Sequence, residues 1–294
     1  MKLNHHGDVV DSDFYEAVFM SHHRMIYGEV EDIINGFDNP KYKDVISNIK
    51  LMGDIANILM KKRFREGSLD LEIPEAQLVI DATGVPVDVV RGDRLFAHRL
   101  IEELMLMANV AVARFIEKNA RPSLYRVHED PFPDALKSLE LMAHNWGLKI
   151  RLAVGKKDDE KRAPRGQIQK QLMKMLEHVK GKPEEHILSI FTLRSMKQAQ
   201  YSNENKGHFG LAFDCYTHFT SPIRRYPDLV VHRVLRSIFN ANKGGRHYTE
   251  EDMSVMGTFL SACEQRANKS ERDLISIKKC RFMERHVGET LEGM

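Results

Sequence analysis

The chain has 294 residues, 42% of them apolar and 29% charged, with a formal net charge of +2. This composition excludes a disordered chain, and the length allows one large or two modest domains with a well-buried core. A near-neutral balance does not announce a polyanion binder, and no run of about 18 apolar residues offers a membrane span.

The first residues, MKLNHHGDVVDSD, lack the apolar stretch of a signal peptide. Residues 7–18 read as a strand, and 21–35 as a helix with Met25, Ile26, Val30, Ile33 and Ile34 at helical spacing, closed by Gly36. Residues 41–66 repeat Val45, Ile49, Met52, Ile55 and Leu59 along a second helix that ends at Gly67. Residues 69–90 have strand character, with Gly84 and Pro86 at a hairpin turn. The strongest helix is 93–119, whose broad apolar face predicts a central position. A short strand and loop follow at 125–133, then a helix at 134–146, a charged linker GKKDDEKRAPR at 155–165, and a helix at 183–199. Pro222 is expected in the first turn of a helix running to Phe239. After a loop at 242–248, residues 250–285 form a long final helix, and VGETLEGM closes the chain as an extended segment.

Three stretches could carry chemistry. In GHFGLAFDCYTHFTSPIRRYPDL, the rings of Phe209, Tyr216, Phe219 and Tyr226 could stack on bases. Thr220 and Ser221 before Pro222 suit a helix cap, and free N–H groups at such a start bind anions. Arg224 and Arg225 fall in that first turn against the helix dipole, which points to a bound phosphate; a bare basic helix start is the bland alternative. His232, Arg233 and Arg236 continue the basic cluster, and residues 266–285 hold a further excess of Lys and Arg that a solvated helix face would also explain. In RLIEELMLMAN, Glu102 and Glu103 lie inside an apolar helix, and a buried carboxylate there needs a cation, a metal or a sugar hydroxyl. In LRSMKQAQY, Arg194 and Lys197 share a helix face and could contact phosphates, or simply face solvent.

Other features point away from common chemistries. The histidine pairs 5–6 and 22–23 face different directions, and Asp8, Asp11 and Asp13 do not share one strand face. Cys215, Cys263 and Cys280 match no zinc spacing and suit a reducing, cytoplasmic setting. Neither a phosphate-binding P-loop, a dinucleotide-binding glycine motif nor a G-x-S-x-G elbow is present.

The run HFGLAFDCYTHFTSPIRRYPDLVVHR resembles the signature of the RNB-domain exoribonucleases, the ribonuclease II and ribonuclease R type, with ribonuclease R the nearer pattern. FYEAVFMSHHRMIY, HRLIEELMLMANVAVARFIE, YRVHEDP and LRSMKQAQYSNENKGHFGLA resemble it too, in the family's order and over nearly the whole chain. The resemblance implies an α+β catalytic domain, a mixed sheet flanked by long helices, over 1–286, with 287–294 opening an OB-type domain. It implies 3′-to-5′ hydrolysis of single-stranded RNA from its 3′ end to nucleoside 5′-monophosphates, with magnesium as the ion. Arg224 then matches the arginine that stabilises charge on the phosphate, and Glu271 the late acidic residue near the reaction centre, with Glu264 second. Glu102 and Glu103 match glutamates near the terminal ribose, and Tyr27 a tyrosine lining the cavity. The RNA-facing set is completed by Arg194, Lys197, Tyr216, Ser221, Arg225, His232 and Arg233.

Two departures accompany the resemblance. Leu71 stands where the family often has a base-clamping phenylalanine, and the family's metal-binding aspartates are expected upstream of the first residue. No metal ligand is therefore assigned in this chain, and a weakly active or inactive piece is expected. A non-catalytic RNA-binding or assembly protein built on the same domain is the alternative.

Overall fold

The computed structural model describes residues 1–69, 76–92, 94–152, 166–239 and 247–290. Leu71, the charged linker at 155–165 and residues 291–294 lie outside these. In chain order the elements are β1 (Lys2–Leu3), β2 (Val9–Asp11), α1 (Tyr27–Ile34), α2 (Ile46–Glu66), β3 (Ala76–Ile80), β4 (Pro86–Arg91) and α3 (Phe96–Lys118). They continue as β5 (Tyr125–Val127), α4 (Pro133–Asn145), α5 (Gln167–Val179), α6 (Glu185–Ser195), β6 (Gln200–Ser202), α7 (Tyr226–Phe239) and α8 (Glu250–Met283).

α3 is the central helix, as its apolar face predicted. Leu100, Leu106, Val112 and Ile116 are buried along it. Its C-terminal half packs with Val230, Val231 and Val234 of α7 and Met253 of α8 in one core. Its N-terminal half meets α1 and α2, where Ile33, Tyr42 and Ile49 form a second core. α4, α5 and α6 gather a third around Leu139, Leu172, Met175 and Leu188. Among the described residues no helix is long and apolar enough to cross a membrane.

The α+β class agrees with the sequence reading, but the expected mixed sheet is replaced, among the described residues, by three antiparallel pairs: β1–β2, β3–β4 and β5–β6. The β5–β6 edges are closed by other means, and among the described residues no further strand pairs there. Ser261 Oγ of α8 accepts the Tyr201 N–H at 2.9 Å, and the Arg126 N–H donates to Tyr216 O at 2.9 Å. Gly257 permits this approach: a Cβ there would lie 3.0 Å from Tyr201 O.

α1 begins at Tyr27, six residues later than the start expected at Ser21, because His23 is held aside by Asp44 at 2.8 Å. The strand expected over 7–18 is confined to Val9–Asp11. α2 ends as expected, at Gly67 with φ 107°. A Cβ there would meet Gly166 O at 3.2 Å in a backbone region that L-residues avoid. Gly67→Ala is therefore expected to cost about 1–3 kcal/mol in a urea melt, and an unchanged midpoint would refute this account of the cap.

Candidate functional site

The site is built around residues 217–225, a segment fixed to the core at almost every step. Thr217 Oγ1 donates to Leu124 O at 2.6 Å, and the Phe219 N–H donates to Asn109 Oδ1 of α3 at 3.0 Å. The His232 ring stacks on Phe219 at 4.4 Å and its Nε2 lies 3.0 Å from Phe219 O. Asp228, fully buried in α7, accepts the Ser221 N–H at 2.7 Å. The same carboxylate takes the Arg225 fork, Nε at 2.8 Å and Nη2 at 2.7 Å. A bidentate pair of this kind is among the strong hydrogen-bonded contacts a protein makes.

This pair corrects the sequence reading of the helix start. Residues 222–224 form a separate turn, with the Arg224 and Arg225 N–H groups both directed at Ser221 O, and α7 opens only at Tyr226. The Ser221 N–H is bound by Asp228 and is not a free anion donor. The two neighbouring arginines therefore have different situations. Arg225 is internal, holding the turn. Arg224 is exposed, with no hydrogen bond or ion pair from its guanidinium to another described residue. Arg233 donates to Tyr226 OH at 3.0 Å and lies over its ring.

Behind the turn lies a packed aromatic and histidine layer. Tyr216, expected to stack on bases, is instead buried, and its hydroxyl accepts from Asn109 Nδ2 at 3.1 Å. Tyr201 OH lies 2.9 Å from His218 Nδ1, and Arg126 stands over the Tyr201 ring while donating to Glu264 of α8 at 2.6 Å. Burial, reinforced by Arg225 and Arg126, pushes His218 down to about 2. Burial, with His128 and Arg126, pushes His208 down to about 3.

These two histidines give the fold a pH dependence. An unfolded imidazole takes a proton near pH 6.5, and these folded ones do so only far lower, so protonation favours the unfolded chain. Stability is fully present above about pH 6.5 and falls as the pH drops below it. The two groups together are expected to lower it by about 3 kcal/mol at pH 5.5 relative to pH 7.5. Urea melts at the two pH values measure this, and equal midpoints would count against it.

The glutamate pair is also resolved. Glu103 is buried and paired with Arg63, whose Nε donates at 3.0 and 3.3 Å to its two oxygens, while Arg63 Nη1 donates to Ser68 Oγ. The partner demanded by a buried carboxylate is thus a cation of α2, one of the three kinds of partner expected for it. Glu102 is half-exposed and pairs with Arg94. Tyr27 is exposed on one side and stacks on His98 at 4.0 Å. Lys197 is paired with Glu129 at 2.7 Å and stands over the Phe132 ring, whereas Arg194 is exposed at the end of α6.

Glu271 is exposed on the far part of α8, while Glu264, its second choice, is tied to Arg126. Ser221, Arg225, His232, Arg233 and Tyr216 thus belong to one turn-and-helix unit around Arg224. No hydrogen bond, ion pair or ring contact among the described residues joins Tyr27, Glu102 or Glu271 to that unit. Sequence reasoning did not single out Asp228, Arg63, Arg126 or His218. The spacing of Asp228 three residues after Arg225 was the available signal for the first.

Among the described residues no three His, Cys, Asp or Glu side chains are grouped to hold a metal ion. Asp8 is paired with Lys62 at 2.6 Å and Asp11 with Lys2 at 3.5 Å.

Comparison with known proteins agrees with this architecture. The model of the RNB domain matches residues 1–241. The chain is 36% identical to ribonuclease R 1 of Lactococcus lactis and 35% identical to ribonuclease R of Escherichia coli, in each case over 100% of its length. It spans only 35% and 36% of those two relatives. The structure of Mycoplasma genitalium RNase R in complex with ribose-methylated single-stranded RNA superposes with a TM-score of 0.85 at 25% identity, covering 97% of this chain and 44% of that one.

Proposed function

We propose a function from an established premise: this chain belongs to the RNB-domain family. The activity is 3′-to-5′ hydrolysis of single-stranded RNA. Water adds to the phosphorus of the last phosphodiester, the P–O3′ bond breaks, and a nucleoside 5′-monophosphate leaves while the shortened strand keeps its 3′-hydroxyl. The observation that carries this reading is Arg224, an exposed guanidinium without an acidic partner among the described residues, on a turn fixed by a buried aspartate. A charge held ready in this way suits an anion that gains charge as it reacts.

The remaining roles follow from availability. Glu102, not Glu103, approaches the terminal ribose, because Glu102 and its partner Arg94 are half-exposed whereas Glu103 is buried against Arg63. Tyr27 lines the cavity with its exposed edge, Arg194 contacts backbone phosphate, and Glu271 acts near the reaction centre. Ser221, Arg225, His232, Arg233 and Tyr216 shape the turn that presents Arg224, and Lys197 is held by Glu129. Magnesium is part of the proposal by family resemblance, and no step is routed through it. The division at residue 286 and a cytoplasmic location, in keeping with three free cysteines, are part of it as well.

The test is a 5′-labelled single-stranded RNA incubated with the pure protein and magnesium. Weak shortening from the 3′ end, with monophosphates released, is the expected result. Cleavage at internal positions would refute it. Salt-sensitive RNA binding without turnover fits an inactive piece and the non-catalytic alternative alike.

A further inference from the structure

The contacts that fix residues 217–225 leave few polar groups unused. Thr217, Phe219, Ser221 and Arg225 are bound to Leu124, Asn109 with His232, and Asp228. Among the described residues, the side-chain groups of this segment left over are the Arg224 guanidinium, the Thr220 hydroxyl, which is buried without a partner, and Nε2 of His218.

The proton on the His218 ring can be placed. Tyr201 OH lies 2.9 Å from Nδ1. Burial raises that phenol to about 12, so it keeps its hydrogen, and a buried hydroxyl hydrogen needs an acceptor. Nδ1 is the acceptor within reach. A neutral imidazole whose Nδ1 accepts carries its own proton on Nε2. The ring is held between Tyr201 and Tyr216, 5.6 Å from each and edge-on to both, so its direction is fixed. Its ring belongs to the same fixed segment as Arg224, six residues before it, and Arg225 and Arg224 both act electrostatically on it.

We propose that His218 donates a hydrogen bond from Nε2 to an oxygen of the RNA backbone next to Arg224, and that Tyr201 is the positioning residue that fixes the donating tautomer. This rests on the reading of Arg224 as the phosphate-facing charge. A neutral donor orients an oxygen without adding to the positive charge that Arg224 already supplies. The acceptor is a phosphate oxygen or a ribose hydroxyl, which the test separates.

The test is nitrogen-15 NMR of the histidine rings in the full chain, with a single-stranded oligonucleotide as probe. The free protein is expected to show His218 as the neutral Nε2–H tautomer from pH 5 to 8, and added RNA is expected to shift that proton. An equal shift with single-stranded DNA assigns a phosphate oxygen, and a shift with RNA alone assigns the ribose hydroxyl. His218→Phe, which keeps a ring in place, is expected to bind RNA about ten-fold more weakly. Tyr201→Phe is expected to lose the tautomer preference and to weaken binding in the same direction. An Nδ1–H tautomer in the wild-type protein overturns the proposal. So does RNA binding that leaves the His218 signal unmoved, with His218→Phe binding as the wild type does. Unchanged RNA affinity and unchanged turnover in Arg224→Ala would instead refute the reading of Arg224, independently of the His218 signal.

Discussion

Replacing Arg224 with alanine in a complete enzyme carrying this domain is expected to lower turnover by about 100- to 1000-fold while changing RNA affinity by less than about ten-fold. The argument is one of difference. An exposed guanidinium adds one contact among many to a bound strand, but on a phosphate gaining charge its contribution grows as the reaction proceeds. The native fold should be unaffected, since the side chain is exposed and makes no ion pair or hydrogen bond to a described residue. Arg224→Lys should recover only part of the loss, because an ammonium replaces a planar fork by a point charge. Single-turnover rates and equilibrium binding to the same RNA separate the two effects. A loss confined to affinity would reassign Arg224 to strand positioning.

Glu103→Ala should be the most damaging single change to stability, costing about 3–5 kcal/mol. It leaves the Arg63 guanidinium buried, with Ser68 as its remaining side-chain partner. Against a typical total stability of about 5–15 kcal/mol, that loss is large. The paired replacement Arg63→Met with Glu103→Leu is expected to recover most of it, since apolar residues of similar volume need no compensating charge. Urea midpoints of the single and double variants decide the matter. A double variant as unstable as the single would mean that packing, not charge, is what the site requires.

What the sequence made legible follows from the range of the forces involved. α3 and α8 were readable because a sustained apolar period or a long polar helix is a local signal, and the β3–β4 hairpin because its turn residues are local too. α5 is missing from the sequence reading although Ile168, Leu172, Met175 and Val179 carry a helical period, because it follows directly on a charged linker. The starts of α1 and α7 were misplaced because each is set by a side chain distant in sequence or later in the helix, Asp44 for one and Asp228 for the other. The same limit applies to the site. That Glu103 needed a partner was evident from burial, but its choice of Arg63, 40 positions earlier, depends on how α2 crosses α3. Arg224 and Arg225 were indistinguishable as neighbours, and only a buried carboxylate divides them.

α8 offers a last consequence. It buries Met253, Gly257 and Ser261 near its beginning, while its far part is exposed and is met by the hairpin, where Lys278 donates to Gly84 O and Arg285 to Pro86 O at 2.8 Å. Mechanically this is a cantilever. At 1.5 Å per residue, the length from Ser261 to Met283 is about 33 Å, so a tilt of about 10° at the clamp would swing the tip by about 6 Å. Glu271 rides partway along that arm, and the hairpin travels with its end. The clamp where Gly257 meets Tyr201 therefore aims a carboxylate it never touches, and a methyl group added there would be felt as a change of angle far down the helix.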